Sequence, residues 1–338
     1  IKPDSQTPFT AIRAFQLLEE AGLPKGLVQI VTGPGTVVGS AIIDSADYLM
    51  FTGSTETGRS IGRQIGGRLV GYSAELGGKN AMIVTADADL DRAVQNAVVA
   101  CFANTGQLCI SIERIYVDAA IEKAFTKKFA AAVEALRLGN EQAYTADVGP
   151  LASKAQLDKV TEHLADALDK GARLVAGGKA RPDLGPFFHE PTLVAEVTPE
   201  MAIHREETFG PIVAIYPYTS VEDAIREVND TEYGLNNSVL CGDVKAGKQI
   251  AARLMSGTVN VNDGYSSGWG TLDSPMGGMK ASGMGRRHGR DGLLKYTESQ
   301  TIAVRSAAAQ KLQDATADPK AFAARFTKLL RTAKHLPR

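Results

Sequence analysis

The sequence predicts an α/β protein built on doubly wound parallel sheets, and three observations support this fold class. Short apolar strands alternate with amphipathic helices along most of the chain, which is the pattern of βαβ units. The 338 residues are enough for about two domains of ordinary size. Hydrophobic residues make up 44% of the chain and charged residues 22%, so sizeable buried cores can form.

The first quarter of the chain is predicted to alternate helices and short strands. A helix at 11–21 ends where Gly22 and Pro24 interrupt it, and Ser54 can cap a helix at 55–65. The other elements predicted here are strands at 28–32, 47–51 and 69–74 and a short helix at 36–43. Strand–helix–strand alternation of this kind predicts a parallel sheet.

The middle of the chain repeats this alternation from residue 80 onwards. Strands are predicted at 80–84, 114–117, 172–175, 212–216, 237–240 and 258–261. Helices are predicted at 88–103, 119–136, 153–170, 221–228 and 246–254. The Gly- and Ser-rich stretch 263–285 reads as a functional or connecting loop, and residues 296–304 alternate like an edge strand.

Composition limits the classes of partner. The formal net charge is −1, so no broad basic field predicts binding to nucleic acid or to an anionic membrane. No apolar run reaches the ~18 residues of a membrane helix, and no signal peptide opens the chain. Because the chain begins with Ile rather than Met, we expect its natural start to be missing. Three cysteines are too few and too odd in number for a disulfide framework, which favours location in a reducing cytoplasm. None of them has the spacing of metal ligands.

Cys109 is the first candidate for chemistry, because the motif GQLC at 106–109 comes just after a predicted helix. A thiolate is a strong nucleophile, and nearby positive charge or backbone N–H groups can lower the pKa of a free thiol from about 8.5. A lone cysteine is more often inert core packing, and that is the interpretation of Cys101 and Cys241. The motif alone leaves both possibilities open for Cys109.

Two carboxylates form the second group of candidates. Glu75 ends a predicted strand just before two glycines, and it is either a general base with a raised pKa or a solvated turn residue. Glu207 lies beside Phe209, in the motif EETFGP at 206–211. Its carboxylate can bind ribose hydroxyls while the ring lies against a flat ligand, or the motif is an ordinary surface turn.

Two further motifs are candidates for binding phosphate or ribose. The motif FTGS at 51–54 leads into a helix that contains Gly58, and a helix N-terminus can hold a phosphate. A plain N-cap is the simpler interpretation of that motif. Lys2, before a proline, is either a contact to phosphate or ribose or an ordinary loop lysine.

These motifs occur in one order along the chain: Lys-Pro near the start, FTGSTxxG, ELGGKN, GQxC, EETFGP and PMGGxKxSGxGR. That order and spacing resemble the aldehyde dehydrogenase superfamily, from residue 1 to about residue 306. The segment GQLCISIER and the loop of Trp269 look most like the bacterial succinate-semialdehyde dehydrogenases. The resemblance implies an aldehyde dehydrogenase-like fold of two doubly wound parallel-sheet domains, of which the first is incomplete here.

The resemblance also implies a reaction. Cys109 matches the family nucleophile, which would attack the aldehyde carbon to give a thiohemiacetal and, after hydride transfer to nicotinamide, a thioester. Glu75 matches the general base that activates water to hydrolyse the thioester. The implied substrate is a small aldehyde, with succinate semialdehyde favoured, and the implied product is the carboxylic acid.

The implied cofactor is NADP or NAD. The positions that match cofactor contacts are Gly53, Ser54 and Gly58 at the pyrophosphate, Glu207 and Phe209 at the nicotinamide ribose, and Lys2 at the adenosine ribose. Many NAD-preferring relatives have Glu three positions after that lysine. Ser5 stands there in this chain, which removes a repulsion of the 2′-phosphate and slightly favours NADP.

Some residues of this chain match family motif positions without a catalytic role, and one functional segment of the family is absent. Lys79 and Arg114 match motif positions to which we assign no catalytic role, and Gln107 can shape the pocket beside the nucleophile. The family also has an Asn upstream of the Lys-Pro segment that helps form the oxyanion hole, and that segment is absent from this sequence. Losing one oxyanion donor typically costs about 10²–10³ in rate. The missing strands would also expose a sheet edge and apolar surface, so the sequence predicts a poor or an unstable enzyme.

Three other functions stay open at this point. A CoA-acylating or acyl-phosphate-reducing relative would share Cys109 but pass the thioester to another acceptor, whereas Glu75 argues for water. A non-catalytic module would keep the fold, although it has no need for Cys109 and Glu75 together. A Cys–His hydrolase would show no cofactor dependence, and folding would have to bring one of the five histidines to Cys109.

The predicted domains follow from the resemblance. They are a partial cofactor domain at 1–77, a catalytic domain at 78–281, a return to the cofactor domain with an oligomerisation edge strand at 282–306, and a basic helical tail at 307–338. An exposed edge strand invites pairing with another subunit, so we expect a homo-oligomer.

Overall fold

The computed structural model describes residues 1–141, 143–307, 311 and 318–334. The chain divides into two units, Ile1–Tyr296 and Thr297–Arg338, and each is described by itself. The first unit contains mainly parallel β-sheets with helices packed against them, which confirms the predicted α/β class. Among the described residues, no helix is both long and apolar enough to cross a membrane.

The elements of the first unit are numbered in chain order. The strands are β1 (Tyr48–Thr52), β2 (Gly71–Glu75), β3 (Asn80–Val84), β4 (Ile112–Asp118), β5 (Arg173–Ala176), β6 (Thr192–Ala195), β7 (Ile212–Tyr218), β8 (Tyr233–Gly234), β9 (Asn236–Leu240), β10 (Thr258–Val261), β11 (Met279–Lys280) and β12 (Gly283–Met284). The helices are α1 (Pro8–Glu20), α2 (Ser40–Ser45), α3 (Thr55–Gly66), α4 (Leu90–Phe102), α5 (Glu122–Glu134), α6 (Lys154–Asp169), α7 (Ala202–Arg205), α8 (Val221–Asn229), α9 (Val244–Ala251), α10 (Ser266–Gly270) and α11 (Gly289–Leu294).

The smaller sheet has the order β1-β2-β12. β1 and β2 are parallel, and β12 adds antiparallel to β2 with Gly283 opposite Glu75. Ile61 and Ile65 lie one turn apart on α3 and pack on this sheet with Leu49. The carboxyl end of β2 is therefore held between a strand from the start of the chain and a segment from near residue 283.

The larger sheet has the order β10-β9-β3-β4-β7-β6-β5 and is parallel except for β5 at its edge. All five residues of β3 are buried, which explains why the apolar run at 80–84 is predicted at its observed bounds. Helices α4 and α5 form one core against the sheet, in which Phe102 and Phe129 lie 6.1 Å apart between ring centroids. Helices α8 and α9 contribute to a second core through Ile225 and Ile250.

A sharp turn separates α4 from β4 and leads the chain to Cys109. Asn104, Thr105 and Gly106 have φ values of 52°, 60° and 69°, all in the left-handed region. Thr105 Oγ1 donates a hydrogen bond of 3.1 Å to the carbonyl of Gly149. A Cβ on Gly106 would lie 2.4 Å from the carbonyl oxygen of Gly210, so only glycine fits there.

Two predicted elements near the chain start differ in the structure. Residues 28–32 form no strand but an extended segment beside the first residue, where Ile1 N donates to Gln29 O at 2.6 Å and Val31 N to Ile1 O at 2.9 Å. A strand requires a longer ladder with a neighbouring strand than these two bonds provide. The helix predicted at 36–43 is instead a π-helical turn at Gly35–Gly39 followed by α2.

Two further differences concern single strands. β6 was not predicted, because a threonine and three apolar residues after a proline are too short to show a periodicity. Residues 296–304 contain no strand in the single chain. A strand forms only where its backbone pairs with a neighbour, and the prediction placed that neighbour in a second subunit.

The predicted domain limits stay predictions. The two sheets divide between Glu75 and Asn80, and β12 belongs to the smaller sheet. The second unit contains the helix Pro319–Ala333, which we call the tail helix. Residues 308–310, 312–317 and 335–338 of the predicted tail lie outside the described residues.

We predict that Gly106→Ala lowers the free energy of unfolding by about 1–3 kcal/mol, because Ala is strained at positive φ and would collide with a backbone carbonyl. Gly62→Ala is the matched control, since its Cβ would meet only Tyr72 Cε1 at 3.7 Å and Ala favours a helix interior. Urea unfolding of both variants is the measurement. Equal stability of the two would contradict the assigned role of the turn.

Candidate active site

Glu75 is a buried carboxylate at the carboxyl end of β2. The residue is 5% exposed, and Oε2 accepts a hydrogen bond of 3.3 Å from the backbone N–H of Gly278. Its backbone carbonyl accepts a bond of 3.1 Å from Gly53 N, which joins Glu75 to the end of β1. The residue predicted as the base is thus fixed at the point where three chain segments meet.

Arg287 sets the charge around Glu75. Its Nε lies 3.9 Å from Glu75 Oε1, and its Nη2 donates to the carbonyl of Phe51 at 3.0 Å and to Thr52 Oγ1 at 3.4 Å. These bonds to the end of β1 hold the guanidinium beside the carboxylate. The sequence motifs gave no role to Arg287, because its contact with Glu75 spans more than 200 residues.

Burial raises the pKa of Glu75 to about 7, while the nearby Arg287, the Gly278 N–H, Arg286 and Lys295 act to lower it. A carboxyl group with this pKa is populated in both forms near neutral pH. It can therefore accept a proton and release it again, which is what a general base requires.

Cys109 is positioned by its backbone rather than by its side chain. Asn80 Nδ2 donates to the carbonyl of Cys109 at 2.8 Å and to that of Ser111 at 2.7 Å. The same Asn80 accepts a bond of 3.0 Å from Asn236 N through Oδ1, so β3 and β9 both hold the segment. Gly78 lies against this carbonyl, since a Cβ there would be 2.6 Å from the oxygen of Cys109.

The thiol of Cys109 lies in the field of both candidate carboxylates. Its pKa is raised to about 11, first by burial and then by the charges of Glu207 and Glu75, in that order. The backbone N–H groups of Cys109 and Ile110 act in the opposite direction. The structure thus brings Cys109, Glu75 and Glu207 into one region, and its thiol is protonated there until a positive charge or a base acts on it.

Glu207 is held by the paired glycines that follow Glu75. Its Oε1 accepts a hydrogen bond of 2.8 Å from Gly78 N, and a Cβ on Gly77 would lie 2.5 Å from its Oε2. Burial raises the pKa of Glu207 to about 7, and the negative charge of Glu113 raises it as well. The glycines are therefore needed so that the backbone can approach the carboxylate.

A buried ion pair supports the loop of Glu207. Lys79 Nζ lies 2.5 Å from Glu113 Oε2, and both side chains are nearly inaccessible. Glu113 also accepts hydrogen bonds from the backbone N–H groups of Thr208, at 3.0 Å, and Phe209, at 2.8 Å. Sequence reasoning missed Glu113, although a charged pair at 113–114 within an otherwise apolar stretch was a usable signal.

The other predicted cofactor residues have local contacts. Ser54 Oγ caps α3 by accepting a bond of 3.3 Å from Thr57 N, and Gly58 makes room for Leu76, whose Cδ2 would be 2.4 Å from an added Cβ. Lys2 Nζ donates to the carbonyl of Pro3 at 2.7 Å, and Ser5 is exposed. Their contacts agree with packing and capping and leave the predicted cofactor roles as proposals.

The remaining cysteines fit the sequence interpretation. Cys101 and Cys241 are buried in apolar clusters, which confirms them as core residues. In the described part of the chain, no group of three or more His, Cys, Asp or Glu side chains is arranged to hold a metal ion.

The sequence model of the Aldehyde dehydrogenase family matches residues 1–302. The chain belongs to the aldehyde dehydrogenase family. The resemblance drawn from the order of the motifs is therefore confirmed.

Curated relatives show the same affiliation. A protein named "Putative succinate-semialdehyde dehydrogenase [NADP(+)] 2" from Mycobacterium ulcerans is 58% identical over 303 residues, which cover 90% of this chain and 58% of that protein. A betaine aldehyde dehydrogenase from Bacillus subtilis is 39% identical over 307 residues, covering 89% of this chain and 62% of that protein. The chain thus spans about three-fifths of the length of these relatives.

Solved structures share the fold. A structure described as an NADP dependent enzyme from E. coli matches with a TM-score of 0.84 and 38% identity, over 88% of this chain and 61% of that one. A betaine aldehyde dehydrogenase from Staphylococcus aureus, in complex with NAD+, matches with a TM-score of 0.83 and 34% identity, over 90% of this chain and 63% of that one. The predicted aldehyde dehydrogenase-like fold is confirmed.

We predict that Arg287→Met raises the pKa of Glu75 above its value of about 7, by about one pH unit, because the guanidinium stabilises the carboxylate. A smaller fraction of Glu75 is then ionised at pH 7. Carbon-13 NMR of glutamate-labelled protein across pH measures this titration. Arg290→Met, at an exposed arginine three residues further on, is the control, and an unchanged Glu75 titration in Arg287→Met would refute the assignment.

Proposed function

We propose that this chain forms the catalytic part of an NAD(P)-dependent aldehyde dehydrogenase that oxidises an aldehyde to the carboxylic acid. One observation carries the proposal. Glu75 and Glu207, which lie 34 and 98 residues away from Cys109 in sequence, both act on its thiol in the folded chain. A nucleophile, a base and a carboxylate for a sugar hydroxyl meet there, which is the set that the family's chemistry uses.

The nucleophile in this proposal is Cys109. Its sulfur bonds to the aldehyde carbon while the carbonyl oxygen takes up the negative charge and then a proton. The backbone N–H groups of Cys109 and Ile110 act on the thiol, and in this proposal they also donate to the developing oxyanion. These donors belong to the chain itself, so part of the oxyanion stabilisation is independent of any upstream residue.

The base is Glu75. After the hydride has left the carbon and the hydroxyl proton has been released to water, the acyl group is a thioester on Cys109. Glu75 then takes a proton from water as the oxygen attacks the acyl carbon. The carbon–sulfur bond then breaks, the carboxylic acid leaves and the thiol is restored. The pKa of about 7 suits this step, because the carboxylate is available at neutral pH and can return the proton.

Glu207 and the end of β1 fit a nicotinamide dinucleotide. A carboxylate can accept about four hydrogen bonds, and the bond from Gly78 N uses one, so capacity is left for the two hydroxyls of a ribose. Gly53 and Ser54 precede the N-terminus of α3, where backbone N–H groups favour an anion. When bound, the oxidised cofactor supplies the hydride acceptor and a positive ring that opposes the raised pKa of the Cys109 thiol.

The proposed substrate rests on the names of the relatives, and the proposed cofactor rests on those names and on Ser5. Curated relatives at 57–58% identity have names that specify succinate semialdehyde and NADP(+), which supports that aldehyde and that cofactor. NAD stays an alternative, because a solved relative binds NAD+. A homo-oligomer in the cytoplasm remains part of the proposal, as do Lys2, Phe209 and Gly58 as cofactor contacts.

We predict that Cys109→Ser lowers the rate of NADPH formation from succinate semialdehyde by about 10³-fold or more, while the Kd for NADP is unchanged. The control is Cys241→Ser, at a buried cysteine of the core, which should retain most of the activity. Absorbance of NADPH and cofactor titration are the measurements. Dependence of NADPH formation on added CoA would favour an acyl-transferring relative, and retained turnover in Cys109→Ser would overturn the proposal.

We predict that Ser5→Glu shifts cofactor preference towards NAD, because a carboxylate there repels a 2′-phosphate and accepts a bond from a 2′-hydroxyl. The ratio of kcat/KM for NADP to that for NAD should fall by about tenfold or more. Ser5→Gln is the matched control, since it has a similar volume without the charge. An equal ratio in Ser5→Glu and the unaltered protein would show that residue 5 does not contact the cofactor.

A further inference from the structure

The tail helix lies beyond the part of the chain that matches the aldehyde dehydrogenase family, which ends at residue 302. Asp318 caps it by accepting hydrogen bonds from the backbone N–H groups of Lys320, at 2.9 Å, and Ala321, at 3.3 Å. Pro319 occupies the first helical position, where a missing N–H does no harm. The helix is thus a defined element that the aldehyde dehydrogenase fold does not account for.

One face of the tail helix is apolar and exposed. Its stripe has the helical spacing i, i+4, i+7, i+8 and i+11, through Phe322, Phe326, Leu329, Leu330 and Ala333. The rings of the two phenylalanines stack with centroids 5.5 Å apart. Phe326, Leu329 and Leu330 are 42%, 62% and 54% exposed. An isolated helix of 15 residues is only marginally stable in water, so its apolar stripe needs an apolar surface or phase to pack against.

The rest of the helix surface is basic. At about 100° per residue, Lys320, Lys328 and Arg331 lie opposite the stripe, and Arg325 and Lys334 border it on either side. Residues 319–338 contain six Lys or Arg and no Asp or Glu, so the remainder of the chain has a formal charge of −7. The positive charge of the tail is concentrated on one short element.

We propose that the tail helix binds the surface of an anionic lipid bilayer, with the apolar stripe among the acyl chains and the basic residues at the headgroups. Arg325 and Lys334 border the stripe, where long side chains can keep their charges at the headgroups while their stems stay in apolar surroundings. At about 1.5 Å per residue the helix is too short to cross a bilayer, so it lies along the surface.

A second copy of the tail helix is the less favourable occupant. Pairing two such helices through the stripe would bring Arg325 and Lys334 of both copies to the edges of one interface, and the helix has no acidic residue to pair with them. An anionic bilayer instead supplies the opposite charge and the apolar phase together. The proposal is independent of the dehydrogenase activity, since it uses no residue of the candidate active site.

Co-sedimentation of the full chain with lipid vesicles tests the proposal. Vesicles of phosphatidylcholine alone are compared with vesicles that contain about one-third phosphatidylglycerol. We expect binding to the anionic vesicles that is at least about tenfold stronger than to the neutral ones and that weakens in high salt.

Matched variants test the contribution of the apolar stripe while every charge of the helix is kept. Replacing Leu329 and Leu330 with Gln together should lower the partition coefficient on anionic vesicles by about tenfold or more, with helix propensity nearly kept. The control replaces Ala324 and Thr327 with Gln, which adds two amides on the polar face and should leave binding unchanged. Thermal unfolding of both variants is compared with that of the unaltered protein, so that a loss of binding is distinguished from a loss of the fold.

Four outcomes would overturn the proposal. The first two are no binding to anionic vesicles and equal binding to neutral and anionic vesicles. The other two are binding that is unchanged when Leu329 and Leu330 are replaced, and a loss of binding in the control variant as large as in the leucine variant. Sedimentation velocity without lipid identifies the competing occupant. If the leucine replacements lower the mass of a vesicle-free oligomer, a second copy covers the stripe and the bilayer does not.

Discussion

The buried ion pair between Lys79 and Glu113 is the interaction on which the candidate site depends. Lys79 directly precedes β3 and Glu113 lies in the neighbouring strand β4, so the pair is fixed by the centre of the larger sheet. Glu113 in turn accepts hydrogen bonds from the backbone N–H groups of Thr208 and Phe209 and thereby fixes the loop of Glu207. Removing one partner of a buried pair typically costs about 3–5 kcal/mol, because the other charge is left unpaired. The loop would lose its anchor at the same time.

This arrangement places the ionisable groups of Glu75, Cys109 and Glu207 in one poorly solvated region, where the negative charge of each group disfavours ionisation of the others. Burial raises the pKa values of Glu75 and Glu207 to about 7 and that of Cys109 to about 11. If all three were ionised, each would destabilise the others. The cations beside Glu75 therefore matter, because Arg287, Arg286 and Lys295 favour its ionised form. Such a site favours a ligand that brings a positive charge to the sulfur.

The sequence was sufficient for the parts of the structure that depend on local pattern. The buried run of β3 is a local signal, and the order of the motifs predicted that Glu75, Cys109 and Glu207 belong together. The role of Arg287 could not be predicted, because it arises from contacts with β1 and β2 that fold from a distant part of the chain. The strand β6 and the extended segment at 28–32 show the same limit, since pairing partners decide whether a short apolar run becomes a strand.

Charge illustrates the difference between composition and arrangement. A net charge of −1 predicts no attraction to an anionic surface, yet that value is the sum of −7 on residues 1–318 and +6 on residues 319–338. Electrostatic attraction to a surface falls off within about a Debye length, roughly 8 Å at physiological ionic strength, so a short helix responds to its own charges far more than to the average of the chain. The same argument applies inside the protein, where Glu75 responds to Arg287 at 3.9 Å and not to the net charge. Local placement therefore decides both the pKa of Glu75 and how the tail helix responds to a charged surface.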